Sequence, residues 1–320
     1  HTQSHTAFRG FGGPQGVLLI ETIMGDIARR LGRDALDVRL ANLYGVGERD
    51  ITPYQMKVED NILRPLMERL ASDCQYRARR QAVANWNREQ PFIKKGLALT
   101  PVKFGISFTA TQFNQAGALV SVYTDGSVLI NHGGTEMGQG LHTKVCGIVA
   151  QVLGLPRSSV RITATDTHKV PNASATAASS GNDLNGRAAE RAALAVRDQL
   201  AKHMAKLSGC EPHEVSFTEG NVVSPRKTLL FVELVQSAYA ARVPLWSHGF
   251  YATPKIHYDR ETLSGRPFYY FAYGAACSEV AIDTLTGESR VLAVDILHDV
   301  GTSINPALDI GQIEGGFIQG

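Results

Sequence analysis

The residues best placed to do chemistry lie in one run, His132-Gly133-Gly134-Thr135-Glu136-Met137-Gly138-Gln139-Gly140-Leu141-His142. Glycines at 133, 134, 138 and 140 let the backbone approach a bulky ligand with no Cβ in the way. If a helix starts at Leu141, its first amides point at whatever the loop holds, which suits a phosphate or another anion. From the loop alone, a ligand cradle and a plain tight turn stand level. The run is neither G-x-G-x-x-G nor a G-K-[ST] phosphate loop.

The flanking residues supply the elements that must position it. Ala118–Tyr123 alternates apolar and polar residues, and Asp125-Gly126 marks a turn into Ser127–Ile130, so a hairpin leads in. Leu141, Val145, Ile148 and Val152 recur at helical spacing, with Gly154 and Pro156 as a stop signal.

Other loops repeat the theme. Thr6–Gly16 is glycine-rich and sets Arg9 between Phe8 and Phe11. A helix follows with Val17, Ile20, Met24, Ile27 and Leu31 on one face and Gly32 as its cap. Asp34 caps a second helix, and a longer helix is predicted over roughly 61–88. Arg77, Arg79 and Arg80 on it read as a solvated face rather than a nucleic-acid patch. Near Gln90-Pro91 the pattern turns from helical to strand-like, which predicts a domain boundary near residue 95. Val160–Thr163 reads as a strand leading into the small-residue loop Pro171–Gly181, after which Asn182 or Asp183 caps a helix. A second hairpin spans Ala276–Asp283 and Ser289–His298, and a last helix starts after Pro306.

Composition narrows the class. The 320 residues carry a net charge of +2, which points to no polyanionic partner, and no apolar run approaches a membrane span. Cys74, Cys146, Cys210 and Cys277 are scattered without a C-x-x-C pair, which predicts reduced thiols in a cytoplasmic protein and no metal cluster. The fold class is mixed α/β (α+β). The chain starts at His1 and ends at Gly320 in mid-pattern, which reads as part of a longer polypeptide.

Five motifs occur in order: Phe8-Arg-Gly-Phe-Gly-Gly-Pro-Gln15, Lys103-Phe-Gly-Ile-Ser-Phe108, Gly133-Gly-Thr-Glu-Met-Gly-Gln-Gly140, Thr176-Ala-Ala-Ser179 and Gly311-Gln-Ile-Glu-Gly-Gly-Phe-Ile-Gln-Gly320. Together they resemble the molybdenum-binding portion of the molybdenum hydroxylase family, on its xanthine dehydrogenase rather than its aldehyde oxidase branch. The resemblance covers essentially the whole chain. It implies that residues 1–95 end a first molybdopterin-binding domain and that 96–320 form most of a second.

The resemblance also implies roles. Met137, Gly138, Gln139 and Gly140 hold the molybdopterin, with Arg9, Ser179 and Gln319. Gln139, Arg9 and Ala178 lie near the molybdenum without ligating it. Phe11 and Phe108 pack on an aromatic purine, Thr109 hydrogen-bonds a substrate oxygen, and Ala177 and Ala178 border metal and substrate. Judged alone, Phe11 and Phe108 read as core aromatics and Gln139 as a helix cap. Glu136 and His142 are structural, since the family gives neither a role.

The implied activity is hydroxylation of hypoxanthine and xanthine to urate with oxygen from water. Electrons then leave through 2Fe-2S clusters and FAD to NAD. An aldehyde oxidase-like or other N-heterocycle hydroxylase, or a catalytically silent fragment, is the alternative. The family's base is a glutamate in a Gly-Glu-Pro-Pro string, which these residues lack, so no catalytic residue is expected before Gly320. The isolated chain is therefore expected to be inactive. Partners implied are the iron–sulfur and FAD domains or subunit, and a second copy in a dimer; neither nucleic acid nor membrane is expected.

Overall fold

The computed structural model describes residues 8–319, so Thr6 and Ala7 of the first loop and Gly320 of the last motif lie outside the described residues. In chain order they form α1 (Gly13–Leu31), α2 (Ala35–Ala41), α3 (Leu63–Asp73), α4 (Tyr76–Glu89), β1 (Ile93–Ile106), β2 (Gln115–Val122), β3 (Val128–His132) and α5 (Leu141–Leu153). There follow β4 (Val160–Ile162), α6 (Gly181–Ser208), β5 (Ser216–Thr218), β6 (Asn221–Val223), β7 (Thr228–Leu230), α7 (Phe231–Ala240) and β8 (Trp246–Ala252). The last are β9 (His257–Asp259), β10 (Ser264–Arg266), β11 (Tyr270–Asp283), β12 (Ser289–His298) and α8 (Pro306–Gln319). The mixed class expected from the sequence is what forms.

The chain divides into two compact units. One holds the chain up to Gly105 with Arg260–Arg266 and Tyr270–Gly301; the other holds Ile106–Asp259, Pro267–Tyr269 and the chain from Thr302. Residue 95 lies inside β1. The change in composition there marks the passage from α4 into a strand. That strand belongs with the helices before it, because Leu97 and Leu99 join Leu66, Met67 and Leu70 of α3 in one core.

In the first unit β11 lies between β1 and β12, and β11 runs antiparallel to β12 with a bulge between Glu279 and Val280. Gly32 closes α1 at φ +62, and the Asp34 carboxylate caps α2 by accepting the Leu36 N–H (2.8 Å). The single helix expected over 61–88 is two, because Gln75 takes φ +52 between α3 and α4; neither Gly nor Pro announces that break. The arginines of α4 are structural. Arg77 pairs with Asp37 and Asp34, Arg80 with Asp34 (3.5 Å), and Arg79 with Glu279 (3.1 Å) and Asp295 (2.6 Å). Beside them the Cys277 thiol, fully buried with its sulfur within 4.8 Å of that of Cys74, is pushed up to about 12 by desolvation first and by Cys74 second.

In the second unit the sheet order is β4-β3-β2-β8. The expected hairpin is β2–β3, with Val122 opposite Val128, and Asp125 accepts the Ser127 N–H (2.9 Å) in its turn. Helices α5 and α6 pack on this sheet through Val145, Val149, Ala188, Ala192 and Val196. The alanines let β8 approach α6 closely: a Cβ on Gly249 would lie 2.1 Å from the Ala188 carbonyl oxygen. Helix α6 starts at Gly181, so Asn182 and Asp183 sit in its first turn and Ser180 takes the cap position. The stretch that carried no clear pattern folds as the small sheet β5-β6-β7 and α7. Among the described residues no helix is long and apolar enough to cross a membrane.

Candidate cofactor site

Strands β3 and β4 are parallel, with Val128 opposite Val160 and Ile130 opposite Ile162, and α5 makes the crossover between them. Their carboxyl ends therefore open on the same edge, the place where open α/β sheets bind ligands. The segments leaving those ends meet. The Thr163 N–H donates to the Ile130 carbonyl (3.1 Å), the Thr165 hydroxyl to the Gly134 carbonyl (2.8 Å), and the Thr135 N–H to the Thr176 hydroxyl (2.9 Å). The approach is tight enough to require glycine: a Cβ on Gly133 would stand 2.4 Å from that of Ala173. At Gly138 the reverse holds. It has φ +96, is exposed and has open space where a side chain would point, although its N–H is taken by Glu136.

Glu136 organises the loop. Its carboxylate accepts the N–H groups of Gly138 (2.9 Å), Gly140 (3.0 Å) and His142 (2.9 Å). Desolvation alone would raise this carboxyl, but the three backbone donors outweigh it and hold it below the usual glutamate range. The amides of Gly140 and His142 at the start of α5 are thus taken by the chain's own carboxylate, which corrects the expectation that they face an anion. Gln139 does not cap the helix either. Its amide folds back on the loop, donating to the Thr135 carbonyl (2.9 Å) and accepting the Met137 N–H (2.6 Å). Beneath the loop His132 is buried. Its Nδ1 accepts the Gly134 N–H (2.9 Å), and its ring meets that of His142 edge-on at 5.3 Å. Burial, then the neighbouring His142, lower its pKa to about 4, so it is neutral.

The start of α6 is built differently. Ala178 and Ser179 both have φ near +57, at 57 and 56, and Ser180 returns to φ −108 before the helix. The left-handed pair closes a tight turn in which the Ser180 N–H donates to the Ala177 carbonyl (3.4 Å). Ser180 makes no side-chain cap bond; its hydroxyl goes to the Ala177 carbonyl (3.2 Å). Helix α8 joins the same cluster. Lys144 of α5 pairs with Asp309 (2.8 Å), Leu308 fills the space beside Gly140, and Gln312 reaches the Gly138 carbonyl at 3.5 Å, the outer limit of a hydrogen bond. Gln319 lies two turns further along α8 and is exposed. A crevice between Gln115, Ala116, residues 173–177 and the start of α6 has about 10 Å³, room for a water and not for a ring.

Phe108 and Thr109 sit on a loop held by Asn114, which is buried and was missed in the sequence. Its side chain accepts the Phe108 N–H (2.8 Å) and donates to the carbonyls of Phe108 (2.9 Å) and Thr111 (3.2 Å). Phe108 is half-buried, edge-on to Phe113 at 5.6 Å, and Thr109 is exposed. Asn–backbone rings of this kind give no periodic signal.

In the first unit, Phe8–Gly13 form a tight turn closed by Phe11 N–H to the Phe8 carbonyl (2.8 Å) and Gly13 N–H to that of Gly10 (2.9 Å). Arg9 is exposed, and Phe11, at φ +44, is 78% exposed. A core role for Phe11, its reading in isolation, is therefore ruled out. Lys103 of the second motif is held between aromatic rings, 3.7 Å from the centre of Phe271 and 5.3 Å from that of Tyr44, and burial lowers it to about 8.

Of the expected site residues, the second unit thus brings Met137, Gly138, Gln139 and Gly140 together with the segment bearing Ala177, Ala178 and Ser179 and with the helix bearing Gln319. Arg9 and Phe11 belong to the other unit. The exposed Gly138, the small residues 177–179 and the nearby amide and hydroxyl side chains fit a many-atom organic cofactor. They do not fit a bare cation.

Such a sheet-edge cluster of glycine and amide loops defines a cofactor-holding module, and comparison with known proteins specifies which. Residues 69–320 match a molybdopterin cofactor-binding domain model, and residues 1–43 match a second model of the same description. The chain belongs to the molybdopterin cofactor-binding domain family. It is 47% identical over 317 residues to the xanthine dehydrogenase/oxidase of Mus musculus and 46% identical to the xanthine dehydrogenase of Oryza sativa, each match covering 99% of this chain and 22% of the relative. The chain thus spans about a fifth of the length of these relatives. Among solved structures, quinoline 2-oxidoreductase from Pseudomonas putida shares the fold (TM-score 0.81, 24% identity, 97% of this chain and 40% of that one). The aldehyde oxidoreductase from Desulfovibrio desulfuricans aligns with TM-score 0.78 at 25% identity over 98% of this chain and 31% of that one.

Proposed function

We propose that this chain supplies most of the molybdopterin cradle of a xanthine dehydrogenase-type hydroxylase acting on xanthine and hypoxanthine. The observation that supports the reading is the self-braced 133–140 loop, which exposes Gly138 and is tied through Thr135 to Thr176, next in chain to Ala177–Ser179. In this reading Met137–Gly140, Ser179 and Gln319 line the pterin, with Arg9 beside the metal. Gln139, Arg9 and Ala178 border the molybdenum without ligating it. When bound, the cofactor supplies a metal-activated oxygen nucleophile derived from water and accepts the substrate's electrons.

The chain's own residues bind and orient. Phe11 and Phe108 clamp the purine ring, one by face and one by edge, a geometry worth about 0.5–1.5 kcal/mol per ring pair. Thr109 donates to a substrate oxygen, and Ala177 and Ala178 keep the approach open. Residues 1–95 end one cofactor-binding domain and 96–320 form most of the next. The general base, the 2Fe-2S clusters, the FAD and the NAD site belong to the rest of a dimeric, cytoplasmic enzyme, so the chain alone does not turn over purine.

The test is metal and pterin analysis of the protein purified from its own cells with whatever accompanies it. Molybdenum and pterin near one per chain, with reduction of the preparation by xanthine, are expected. Reduction by quinoline or an aldehyde but not by xanthine moves the protein to another branch. Neither metal nor pterin overturns the proposal.

A further inference from the structure

Cys74 and Cys277, far apart in sequence and read there as unrelated thiols, meet in the first unit. We propose that Cys74, Cys277 and Asp295 form a site for one zinc-class divalent cation, a second metal site that uses none of the residues assigned to the molybdopterin.

Three features carry it. The two sulfurs and an Asp295 carboxylate oxygen all lie within 4.8 Å of one another. Tetrahedral zinc with its ordinary bonds to sulfur sets two sulfurs about 3.8 Å apart, so the donors need close by only about an ångström. Second, the donors stand on rigid elements. Cys277 and Asp295 are register partners on the antiparallel strands β11 and β12, so their side chains leave the same face. Cys74 is delivered by the end of α3, where its N–H still bonds the Leu70 carbonyl (2.9 Å). Third, the surroundings suit a divalent ion. Both cysteines are buried, whereas the Asp295 side chain is 40% exposed and leaves a path and a fourth position for water. Arg79 donates to Oδ2 of this carboxylate (2.6 Å), as outer-shell donors commonly orient metal ligands.

Charge also balances. A divalent ion binding two thiols forms two metal–sulfur bonds and releases two protons to solvent, leaving the net charge of the pocket unchanged. Glu279 is already engaged by Arg79 and Lys95. Two sulfurs select zinc and its soft congeners over magnesium or calcium.

The experiment titrates the reduced, chelator-stripped chain with Co²⁺ as the probe and then adds Zn²⁺. Expected are a thiolate-to-cobalt charge-transfer band saturating at one equivalent, two protons released per ion, and loss of the band on adding Zn²⁺. Cys74→Ala and Cys277→Ala should each abolish the band. Asp295→Asn, at a part-exposed position, carries the test if either cysteine variant fails to fold, and should weaken zinc binding at least about 10-fold. The proposal fails if no band forms while both thiols are reduced, or if the band persists in the folded cysteine variants. It fails equally if mass spectrometry finds a Cys74–Cys277 disulfide and the protein takes up no metal.

Discussion

The loop at 133–140 and the turn at 8–13 are both glycine-rich and both carry residues assigned to the cofactor, yet they are held by different means. In the first, side chains of the same neighbourhood occupy the backbone: Glu136 takes three amides, Gln139 two groups, Thr176 one and His132 one. In the second, backbone closes on backbone, Phe11 N–H on the Phe8 carbonyl and Gly13 N–H on that of Gly10, and Phe11 projects into solvent. A loop whose polar groups are satisfied internally keeps its shape without a ligand, which is the meaning of preorganisation for binding. The difference therefore predicts that substitutions in the braced region damage folding and binding together, while truncation of the exposed Phe11 ring damages binding alone.

The largest effect should be at His132. The unfolded chain takes up a proton there near pH 6.5, the folded one only near 4, so the buried neutral ring stabilises fully above pH 6.5 and loses that contribution as pH falls across the window. The loss amounts to about 3 kcal/mol. Urea unfolding at pH 7 and pH 4 should show it in the wild type and far less of it in His132→Asn; equal slopes in both would refute the assignment. Next comes Asn114→Ala, which strips a 2%-exposed amide from three backbone partners and should lower stability by about 2 kcal/mol. Asn114→Asp should recover only part of it, since a carboxylate cannot donate to the Phe108 carbonyl. Glu136→Gln comes third, at about 1 kcal/mol, because its bonds are charge-assisted but solvent-exposed. Its carboxyl is held low, so its contribution is present at neutral pH and disappears on acidification through its folded pKa. Protease cleavage within 133–140 should rise in this variant.

Much of this was legible in the sequence and the remainder has identifiable causes. Periodicity and stop signals located α5 and both hairpins, because glycines such as Gly154 and the Asp125-Gly126 pair mark ends by their dihedral freedom. Ordered motifs singled out the glycine- and alanine-rich loops, and the parallel pairing of β3 with β4 explains why two of them converge. The break at Gln75 was invisible, since a glutamine at φ +52 carries no compositional mark. Nor could spacing reveal that Glu136 fills the start of α5, or that Cys277 faces Asp295, because these depend on loop closure and strand register. The same limit explains the arginines of α4, whose carboxylate partners come from α2 and the far hairpin.

The smallest effect on folding is the sharpest test of the contrast. Phe11 has 78% of its surface in solvent, and the bonds of its turn run through backbone, so Phe11→Ala should change unfolding stability by less than about 0.5 kcal/mol. Truncating Phe108, half-buried against Phe113, removes packing as well and should lower stability by more. If both rings clamp a purine, the two variants should nevertheless weaken binding of a purine analogue to the cofactor-loaded enzyme to similar extents, because each loses one ring contact. Stability and affinity would then separate cleanly at Phe11 and move together at Phe108. Loss of stability at Phe11 equal to that at Phe108 would mean that the Phe11 ring is packed after all, and the contrast between the two loops would be wrong.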